Sequence, residues 1–281
     1  MTAPYDPSDP GNPDHPRDPS DPDHRRDPSD PGDPDHPRDL AELAREALPA
    51  LRGPVTLEVL SGGSLNQVVR LTDARGETLV LKWALPRVAT APEIALDPGR
   101  LGFEAAALQA LAPRGDLPGV AVHGVRTPRL LAWLDHAHLL LLEDLGPCPD
   151  LAAEAMAGRL TDGQLATLGG FVGRLHGLSA ARPEIAARFD NADVQKTRDR
   201  VQYRGVRAFC EQADLDDPAA LGRRAEALGR RLLGPGRCLV MGDLWPRSVL
   251  VGDPQLYVID WELAHWGNPL QDLAHLAAHL W

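Results

Sequence analysis

The sequence predicts an α+β fold with two lobes, a small antiparallel-sheet lobe followed by a mostly helical lobe, and a disordered tail in front of both. Three observations indicate this arrangement. Strand-like apolar segments dominate residues 55–145, apolar positions recur at helical spacing further along, and the first 39 residues are rich in Asp, Pro and His. We therefore place the tail at 1–39, the first lobe at 40–145 and the second at 146–281.

Length and composition narrow the classes of protein that fit. A chain of 281 residues with 43% hydrophobic content can bury the cores of a two-lobed domain. The net charge of −11 argues against a nucleic-acid partner, which would need a basic face. No apolar run approaches the roughly 20 residues of a membrane span, and no export signal is evident. The 3 cysteines are widely spaced, as in reduced thiols, so we predict a cytoplasmic protein.

The tail is a low-complexity repeat in which Asp-Pro-Ser-Asp-Pro recurs three times. Its dense prolines forbid helix and it has almost nothing to bury, which predicts a disordered, partly polyproline segment. Seven of the eleven net negative charges lie there, so the remaining domain is only mildly acidic. Weak metal binding by His15, His24 and His36 is the alternative interpretation, and it would suit a metal-storage or scaffold protein.

The first lobe should open with a helix from Leu40 to Leu51, where apolar residues have helical spacing. Three strands follow, at Val55–Leu60, Val68–Thr72 and Thr78–Trp83. The connection between the first two strands is rich in glycine. Its residues Gly62, Gly63 and Ser64 would let backbone amides approach phosphate oxygens, although an ordinary hairpin is the alternative.

Lys82 lies within the apolar third strand, where an ammonium group is costly unless it meets an anion. Glu104, on a predicted helix that begins near Leu101, is its natural partner. The alternative is an edge-strand lysine that faces solvent. Two more strands, Arg126–Trp133 and His138–Leu145, would complete a five-stranded antiparallel sheet.

The second lobe should be helical. Helices are predicted at Thr161–Leu178, Asp193–Gln212 and Pro218–Leu233. Thr161 is a suitable N-cap for the first of them. We interpret His176, near the end of that helix, as a buried and hydrogen-bonded core residue rather than a site residue.

Two short apolar strands in the second lobe each deliver a carboxylate. One precedes Asp243, and a hairpin formed by Ser248–Val251 and Leu256–Ile259 ends at Asp260. Two carboxylates and a hydroxyl at one end of such a hairpin can hold a divalent cation through oxygen, while one carboxylate orients a substrate hydroxyl. The alternative is that these are ordinary turns and that Asp260 is a cap.

The order of Asp243, Ser248 and Asp260 resembles the aminoglycoside phosphotransferase and choline kinase-like branch of the protein kinase-like fold. That family usually has His-Gly-Asp-x-x-x-x-Asn followed by Ile-Asp-Trp-Glu. Met241 stands here in place of the His and Ser248 in place of the Asn. A Ser at this position is similar to the methylthioribose kinase variant. The resemblance covers residues 51–281.

The resemblance implies a Mg²⁺-dependent phosphotransferase that moves the γ-phosphate of ATP to a hydroxyl of a small molecule. Asp243 would be the catalytic residue, and Ser248 and Asp260 would hold Mg²⁺. The implied nucleotide-binding residues are Gly62, Gly63 and Ser64 in the loop, the pair Lys82 and Glu104, and Glu143 and Leu145 in the hinge between the lobes. The hinge would bind adenine through its backbone groups.

A second reading is a catalytically inactive relative that binds a nucleotide or a partner in the same cleft, and Met241 and Ser248 favour it. The family's Gly-x-Pro-x-x-Asp-Leu-Ala sequence is present at Gly267–Ala274. The helices that follow it in the family would lie beyond Trp281, so we expect a partly open acceptor pocket. The identity of the acceptor and the oligomeric state stay open, and the sequence gives no ground for assigning an aminoglycoside as the acceptor.

Overall fold

The computed structural model describes residues 37–60, 65–88, 91–121 and 124–280. The chain divides into two units, Met1–Leu40 and Ala41–Trp281, and the sheets and the site described below belong to the second. The tail histidines, for which weak metal binding was the alternative interpretation, lie outside the described residues. The predicted phosphate-loop residues Gly62, Gly63 and Ser64 lie outside them as well.

Helices and strands are numbered in chain order over the described residues. The strands are β1 Thr56–Val59, β2 Asn66–Thr72, β3 Thr78–Ala84, β4 Arg87–Val88, β5 Ala91–Ala95, β6 Val125–Arg126, β7 Leu130–Leu134, β8 Leu139–Glu143, β9 Cys238–Val240, β10 Val249–Val251, β11 Leu256–Val258 and β12 His265–Gly267. The α-helices are α1 Pro37–Ala47, α2 Leu101–Leu111, α3 Leu151–Met156, α4 Asp162–Ala180, α5 Ala192–Arg198, α6 Val206–Gln212, α7 Pro218–Leu232 and α8 Leu270–Leu280. Helix α1 begins and ends earlier than the predicted Leu40–Leu51.

The predicted five-stranded sheet is present, with strand order β1-β2-β3-β8-β7 and antiparallel pairing throughout. Strand β3 is its centre, and Lys82 pairs in register with Val68 on one side and Leu140 on the other. Leu81 and Leu140 point to opposite faces of the sheet and both are fully buried, so both faces are covered at its centre. The central position of β3 takes Lys82 away from any sheet edge.

The predicted strand Arg126–Trp133 is in fact two strands. β7 pairs with β8 in the main sheet, whereas β6 runs parallel to β11, with Val125 opposite Leu256. Pro128 separates them, because proline lacks an N–H donor and restricts the residue before it. The first lobe therefore contributes a strand to the sheet of the hairpin that precedes Asp260.

Helix α4 matches its prediction closely. Thr161 is the N-cap, and it forms a capping box in which the Gln164 amide donates to the Thr161 Oγ1 at 3.2 Å. The helix buries Leu168, Phe171 and Leu175 against the core. Amphipathic spacing and a cap, both visible in the sequence, were sufficient to locate this helix.

The predicted helix Asp193–Gln212 is interrupted. Helix α5 continues into a π-helical turn, Asp199–Tyr203, before α6 begins. Helix α7 approaches this turn closely, because a Cβ at Gly229 would lie 2.2 Å from the Asp199 Oδ1. Such π turns often occur at functional sites. Arg198, immediately before the turn, reaches the loop that carries Asp243.

The predicted hairpin is present as the antiparallel pair β10–β11, with Val249 opposite Val258. Strand β9 pairs with β12, a strand that the sequence analysis did not predict, and Val240 lies opposite His265. Asp243 follows β9 and Asp260 follows β11. The two ribbons thereby set the framework of the candidate site.

Candidate active site

Lys82 lies at the centre of a cluster of carboxylates. Its ammonium group donates to the Glu104 Oε2 at 2.6 Å and also to the Asp260 Oδ1. Lys82 is 5% exposed and Glu104 is 1% exposed, so the solvent-facing alternative for Lys82 is wrong. The predicted pairing of Lys82 with Glu104 is present, and the structure adds Asp260 as a second partner from the other lobe.

The charges in this cluster act strongly on one another. Burial opposes the charge on Lys82, but the surrounding carboxylates, Asp260 first, outweigh it and raise the pKa of Lys82. Burial raises the pKa of Glu104 to about 7, although Lys82 acts in the opposite direction. The cluster holds more negative than positive charge, so a further cation would stabilise it.

Asp260 is the member of this cluster that remains accessible. Its side chain is 42% exposed, and its backbone lies in the left-handed region with φ 71°. A non-glycine residue in that region costs roughly 1–3 kcal/mol and is often found at functional sites. The surrounding structure therefore holds Asp260 in a special conformation.

The residues around Asp260 fit a magnesium ion. Mg²⁺ is usually bound by one or two carboxylates, with phosphate oxygens and waters completing the shell. Within the described ranges, no group of three or more His, Cys, Asp or Glu side chains could hold a metal by itself. An exposed carboxylate beside an excess of negative charge suits a cation that arrives with a phosphate ligand.

Two residues after Asp260, Glu262 joins the two lobes. The Arg100 Nε donates to the Glu262 Oε2 at 2.5 Å, and the Asn66 Nδ2 donates to the Oε1 at 2.8 Å. Arg100 also donates to the Asn66 Oδ1 at 3.0 Å and to the Leu65 carbonyl. Arg100 is 1% exposed and Glu262 is 3% exposed. The start of β2 is therefore tied to the segment that carries Asp260.

The helical lobe anchors the same segment from the other side. Trp261 is fully buried and packs edge-on against Phe171 of α4, with 6.3 Å between ring centroids. Its indole Nε1 donates to the Val258 carbonyl at 3.0 Å. The Asn191 Nδ2 donates to the Glu262 carbonyl at 3.2 Å. These contacts leave the Asp260 side chain as the exposed part of a fixed segment.

Asp243 follows a turn that requires glycine. Gly242 has φ 86°, and a Cβ there would lie 2.3 Å from the Leu263 carbonyl oxygen. Any other residue at this position would meet both backbone strain and a steric clash. The turn therefore presents the Asp243 side chain in one direction.

Asp272 of α8 holds this turn through its backbone. Its carboxylate accepts hydrogen bonds from the Met241 amide at 3.0 Å and the Gly242 amide at 2.9 Å. The His176 Nε2 lies 2.9 Å from the same carboxylate. The interpretation of His176 as a buried, hydrogen-bonded core residue is confirmed, since it is 9% exposed. Met241 is 1% exposed, so its side chain belongs to the core.

Ser248 braces the loop that follows Asp243. Its Oγ donates to the Trp245 carbonyl at 2.8 Å and accepts from the Trp245 amide at 3.1 Å. Its carbonyl accepts from the Ile259 amide at 2.9 Å, which ties the loop to the strand before Asp260. Ser248 is 2% exposed. A hydroxyl has two lone pairs, so one acceptor position is left beside these bonds.

Two basic groups flank one oxygen of Asp243. The Arg198 Nη2 lies 3.8 Å and the His275 Nδ1 lies 3.5 Å from the Asp243 Oδ1. Burial raises the pKa of Asp243 above its ordinary value; Arg198 acts against this shift and Asp260 adds to it. A carboxylate with increased proton affinity is better suited to accept a proton from a hydroxyl.

The predicted hinge residues Glu143 and Leu145 lie at and just after the end of β8. The Glu143 carboxylate accepts from the Arg126 Nη1 at 2.7 Å, and this side-chain bond lowers the pKa of Glu143. The Leu145 carbonyl accepts from the Cys148 Sγ at 3.4 Å. Both residues precede helix α3, and their role in binding adenine stays a prediction.

Sequence reasoning missed several residues of this site. Asp272 and Glu262 stand inside motifs that were recognised, Asp-Leu-Ala and Ile-Asp-Trp-Glu, so the signal was present although no role was assigned. Arg100, Arg198 and His275 carry no local sequence signal, because each reaches the site from a distant part of the chain.

Residues 56–281 match the phosphotransferase enzyme family, APH, and the chain belongs to this family. The predicted family is therefore confirmed, and with it the class of protein, a phosphotransferase of the kinase-like fold.

A curated relative, the 4-hydroxytryptamine kinase of Psilocybe cyanescens, is 24% identical over 241 residues, which are 79% of this chain. The chain spans 66% of the length of that relative. Among solved structures, choline kinase from Cryptosporidium parvum aligns with a TM-score of 0.53 at 12% identity, covering 86% of this chain and 69% of its own. Spectinomycin phosphotransferase in complex with ADP and spectinomycin aligns with a TM-score of 0.52 at 16% identity. The alignment covers 86% of this chain and 73% of that one. These similarities confirm the predicted fold.

Throughout the part of the chain that the structure describes, no helix combines the length and the apolar character that crossing a bilayer requires.

Proposed function

We propose that this chain is a small-molecule kinase that transfers the γ-phosphate of ATP to an alcohol group. The observation that carries the proposal is the position of Lys82, which bridges Glu104 of the first lobe and Asp260 of the second. An ammonium held between these carboxylates is placed to meet nucleotide phosphates beside a cation site. Membership of a phosphotransferase family supports the same conclusion.

The phosphate side of the reaction belongs to Lys82 and the loop residues Gly62, Gly63 and Ser64. In this proposal the ammonium contacts phosphate oxygens and the loop covers them with backbone amides. The Arg100–Glu262 pair fixes the end of that loop relative to Asp260. The hinge residues, Glu143 and Leu145, take the adenine through backbone groups.

Asp260 would hold Mg²⁺ directly, and Ser248 would reach the ion through a water that donates to its remaining lone pair. The ion would supply positive charge that neutralises the phosphate oxygens during transfer. The excess of carboxylates around Lys82 and the exposed Asp260 side chain support this assignment.

The acceptor side belongs to Asp243. The acceptor hydroxyl gives its proton to the Asp243 carboxylate while its oxygen forms a bond to the γ-phosphorus. The bond between that phosphorus and the bridging oxygen breaks, and ADP leaves. Positioning and charge neutralisation account for most of the rate of phosphoryl transfer, and the residues described above supply both. We place this activity in the cytoplasm.

The alternative is an inactive relative that binds nucleotide without transferring phosphate. Ser248 favours it, because its hydroxyl is engaged by the loop. Met241 does not favour inactivity, because its side chain is buried in the core. Having Met in place of His at this position therefore takes no functional group away from the acceptor side. Spectinomycin phosphotransferase was solved with a nucleotide bound, which supports nucleotide binding by this fold but leaves turnover to experiment.

The test is Mg²⁺-dependent ATP turnover over a panel of alcohols. The panel contains choline, a sugar, methylthioribose, an aminoglycoside and, because of the relative described above, a hydroxytryptamine. Asp243→Asn keeps the shape of the side chain but loses the proton acceptor, so turnover should fall by roughly 10²–10⁴-fold. Mg-ATP should still raise the melting temperature of this variant.

Asp260→Asn is the matched comparison, because it removes a charge from the cation site instead. Both turnover and the stabilisation by Mg-ATP should decrease in this variant. Wild-type protein that binds Mg-ATP but phosphorylates no member of the panel would favour the inactive relative. Undiminished turnover in Asp243→Asn would refute the role assigned to this residue.

A further inference from the structure

His275 lies on the same helix, α8, as the residue that holds the catalytic turn. Asp272, one turn earlier, binds the backbone amides of Met241 and Gly242. Residues three apart share a helix face, so His275 faces the same turn. Where Asp272 holds the backbone of the turn, His275 approaches the side chain of Asp243.

The ring nitrogen of His275 has an unusual environment. Its Nδ1 lies 3.5 Å from the Asp243 Oδ1, and this nitrogen is buried without a hydrogen-bond partner in the described part of the chain. Buried polar atoms are rarely left unpaired, so such an atom usually has a function or a partner that arrives later. Catalytic hydrogen bonds are often long without substrate and tighten when it binds.

The charge state of His275 suits a contact of this kind. Burial, together with the nearby Arg198 and His279, lowers the pKa of His275 to about 4, although Asp272 acts in the opposite direction. The imidazole is therefore uncharged at neutral pH. A neutral donor can orient the Asp243 carboxylate without removing its ability to accept a proton.

We propose that His275 is a positioning residue for Asp243. Its Nδ1–H donates to the Oδ1, which Arg198 also approaches, and the Oδ2 is left to meet the acceptor hydroxyl. The inference rests on the proposed kinase function, because it explains how that carboxylate is aimed. His275 touches neither the phosphate nor the acceptor in this role.

Three substitutions separate positioning from packing. The Asn side chain places an amide nitrogen where Nδ1 stands in His, Gln places it near Nε2, and Ala has neither. His275→Ala should lower kcat by roughly 10- to 100-fold, the cost of misplacing a catalytic group by about 1 Å, with the KM for ATP unchanged. His275→Asn should recover most of the loss and His275→Gln should not.

Leu273→Ala is the matched control, since Leu273 lies on α8 and is 45% exposed. It should leave kcat unchanged. The proposal is overturned if His275→Ala retains wild-type kcat, or if kcat falls by the same factor in the Ala, Asn and Gln variants. An increased KM for the acceptor at unchanged kcat would also overturn it, because His275 would then bind substrate instead of positioning Asp243.

A second measurement does not depend on turnover. In ¹⁵N NMR spectra of the wild-type protein, His275 should be the Nδ1–H tautomer, and its Nδ1 resonance should shift in Asp243→Asn. An Nε2–H tautomer would overturn the proposal, because a bare Nδ1 would repel the carboxylate. If wild type turns over no alcohol, the proposed function fails, while the NMR result still decides whether His275 binds Asp243.

Discussion

The two sides of the candidate site are built differently. On the phosphate side, Lys82, Glu104, Arg100 and Glu262 are at most 5% exposed, and their ion pairs include contacts of 2.5 and 2.6 Å. Each charge there has a direct partner. The described residues of the phosphate side are therefore held by direct, charge-assisted hydrogen bonds.

On the acceptor side, the Asp243 side chain is 30% exposed, and Arg198 and His275 lie 3.8 and 3.5 Å from its oxygen. The backbone of the turn is held tightly by Asp272 and by the requirement for Gly242, but the carboxylate is held loosely. The difference follows the chemistry. In the proposed reaction, phosphates present the same charge whatever the acceptor is, whereas the Asp243 carboxylate must admit a hydroxyl.

Replacing one arginine on each side tests this comparison with the largest expected effect. Arg100→Ala removes the cation that is hydrogen-bonded to the buried Glu262, and it removes the bond from Arg100 to the Leu85 carbonyl. The free energy of unfolding should fall by about 3–5 kcal/mol. Arg198→Ala removes a bond to the Gly242 carbonyl, which Gln271 also contacts, and should cost about 1.5–3 kcal/mol.

Urea unfolding of the two variants measures both values. Arg198→Ala should in addition lower turnover through Asp243, whereas any loss of turnover in Arg100→Ala should accompany its loss of stability. If the two substitutions lowered the free energy of unfolding equally, the phosphate side would not be held more tightly than the acceptor side.

The next effect concerns Lys82. Lys82→Met leaves Glu104 buried and unpaired, so the free energy of unfolding should fall by about 3 kcal/mol at neutral pH. Burial raises the pKa of Glu104 in the folded state. Without Lys82, which lowers the pKa of Glu104, that pKa should be higher still in the variant. The penalty should be complete above the folded-state pKa, fade as the pH falls and Glu104 takes up a proton, and be absent below the unfolded-state pKa.

The double variant Lys82→Met/Glu104→Gln separates folding from binding. It should regain most of the lost stability, because no buried charge remains unpaired, yet Mg-ATP should no longer raise its melting temperature. Full stabilisation by Mg-ATP in the double variant would show that Lys82 does not contact phosphate.

Ser248→Ala is a smaller change on the loop between the two sides. Losing the bonds to Trp245 should cost about 1 kcal/mol of stability. If Ser248 acts on the cation through a water, the Mg²⁺ concentration for half-maximal turnover should rise by roughly 10-fold, as for other residues that contact a metal indirectly. An unchanged Mg²⁺ requirement would mean that Ser248 braces the loop and does nothing more.

Deleting residues 1–36 should have the smallest effect. A segment with almost nothing to bury contributes no core, so the melting temperature and the stabilisation by Mg-ATP should both stay unchanged on either side of the site. A deletion that lowers the melting temperature by several degrees would show that the composition of the tail was misread.

Much of the fold could be predicted from local pattern. A few consecutive residues are enough to recognise the alternating strands, the capped helix α4 and the β10–β11 hairpin, because side-chain periodicity and turn chemistry are local. The π turn at Asp199–Tyr203 and the pairing of β6 with β11 could not be predicted. Each depends on a segment that is distant in sequence. This segment is α7 for the π turn and the β10–β11 hairpin for β6.

By itself, the sequence determined the order of the lobes, the position of Asp243 and Asp260 after their strands, and the pairing of a buried Lys82 with Glu104. Only the tertiary structure decided which side chains complete the site. Arg100 comes within bonding distance of Glu262 across 162 positions, and His275 approaches Asp243 from a helix that follows it in the chain. Spacing along the chain encodes local geometry, whereas an electrostatic environment depends on which charges folding brings together in space, and no local pattern records that.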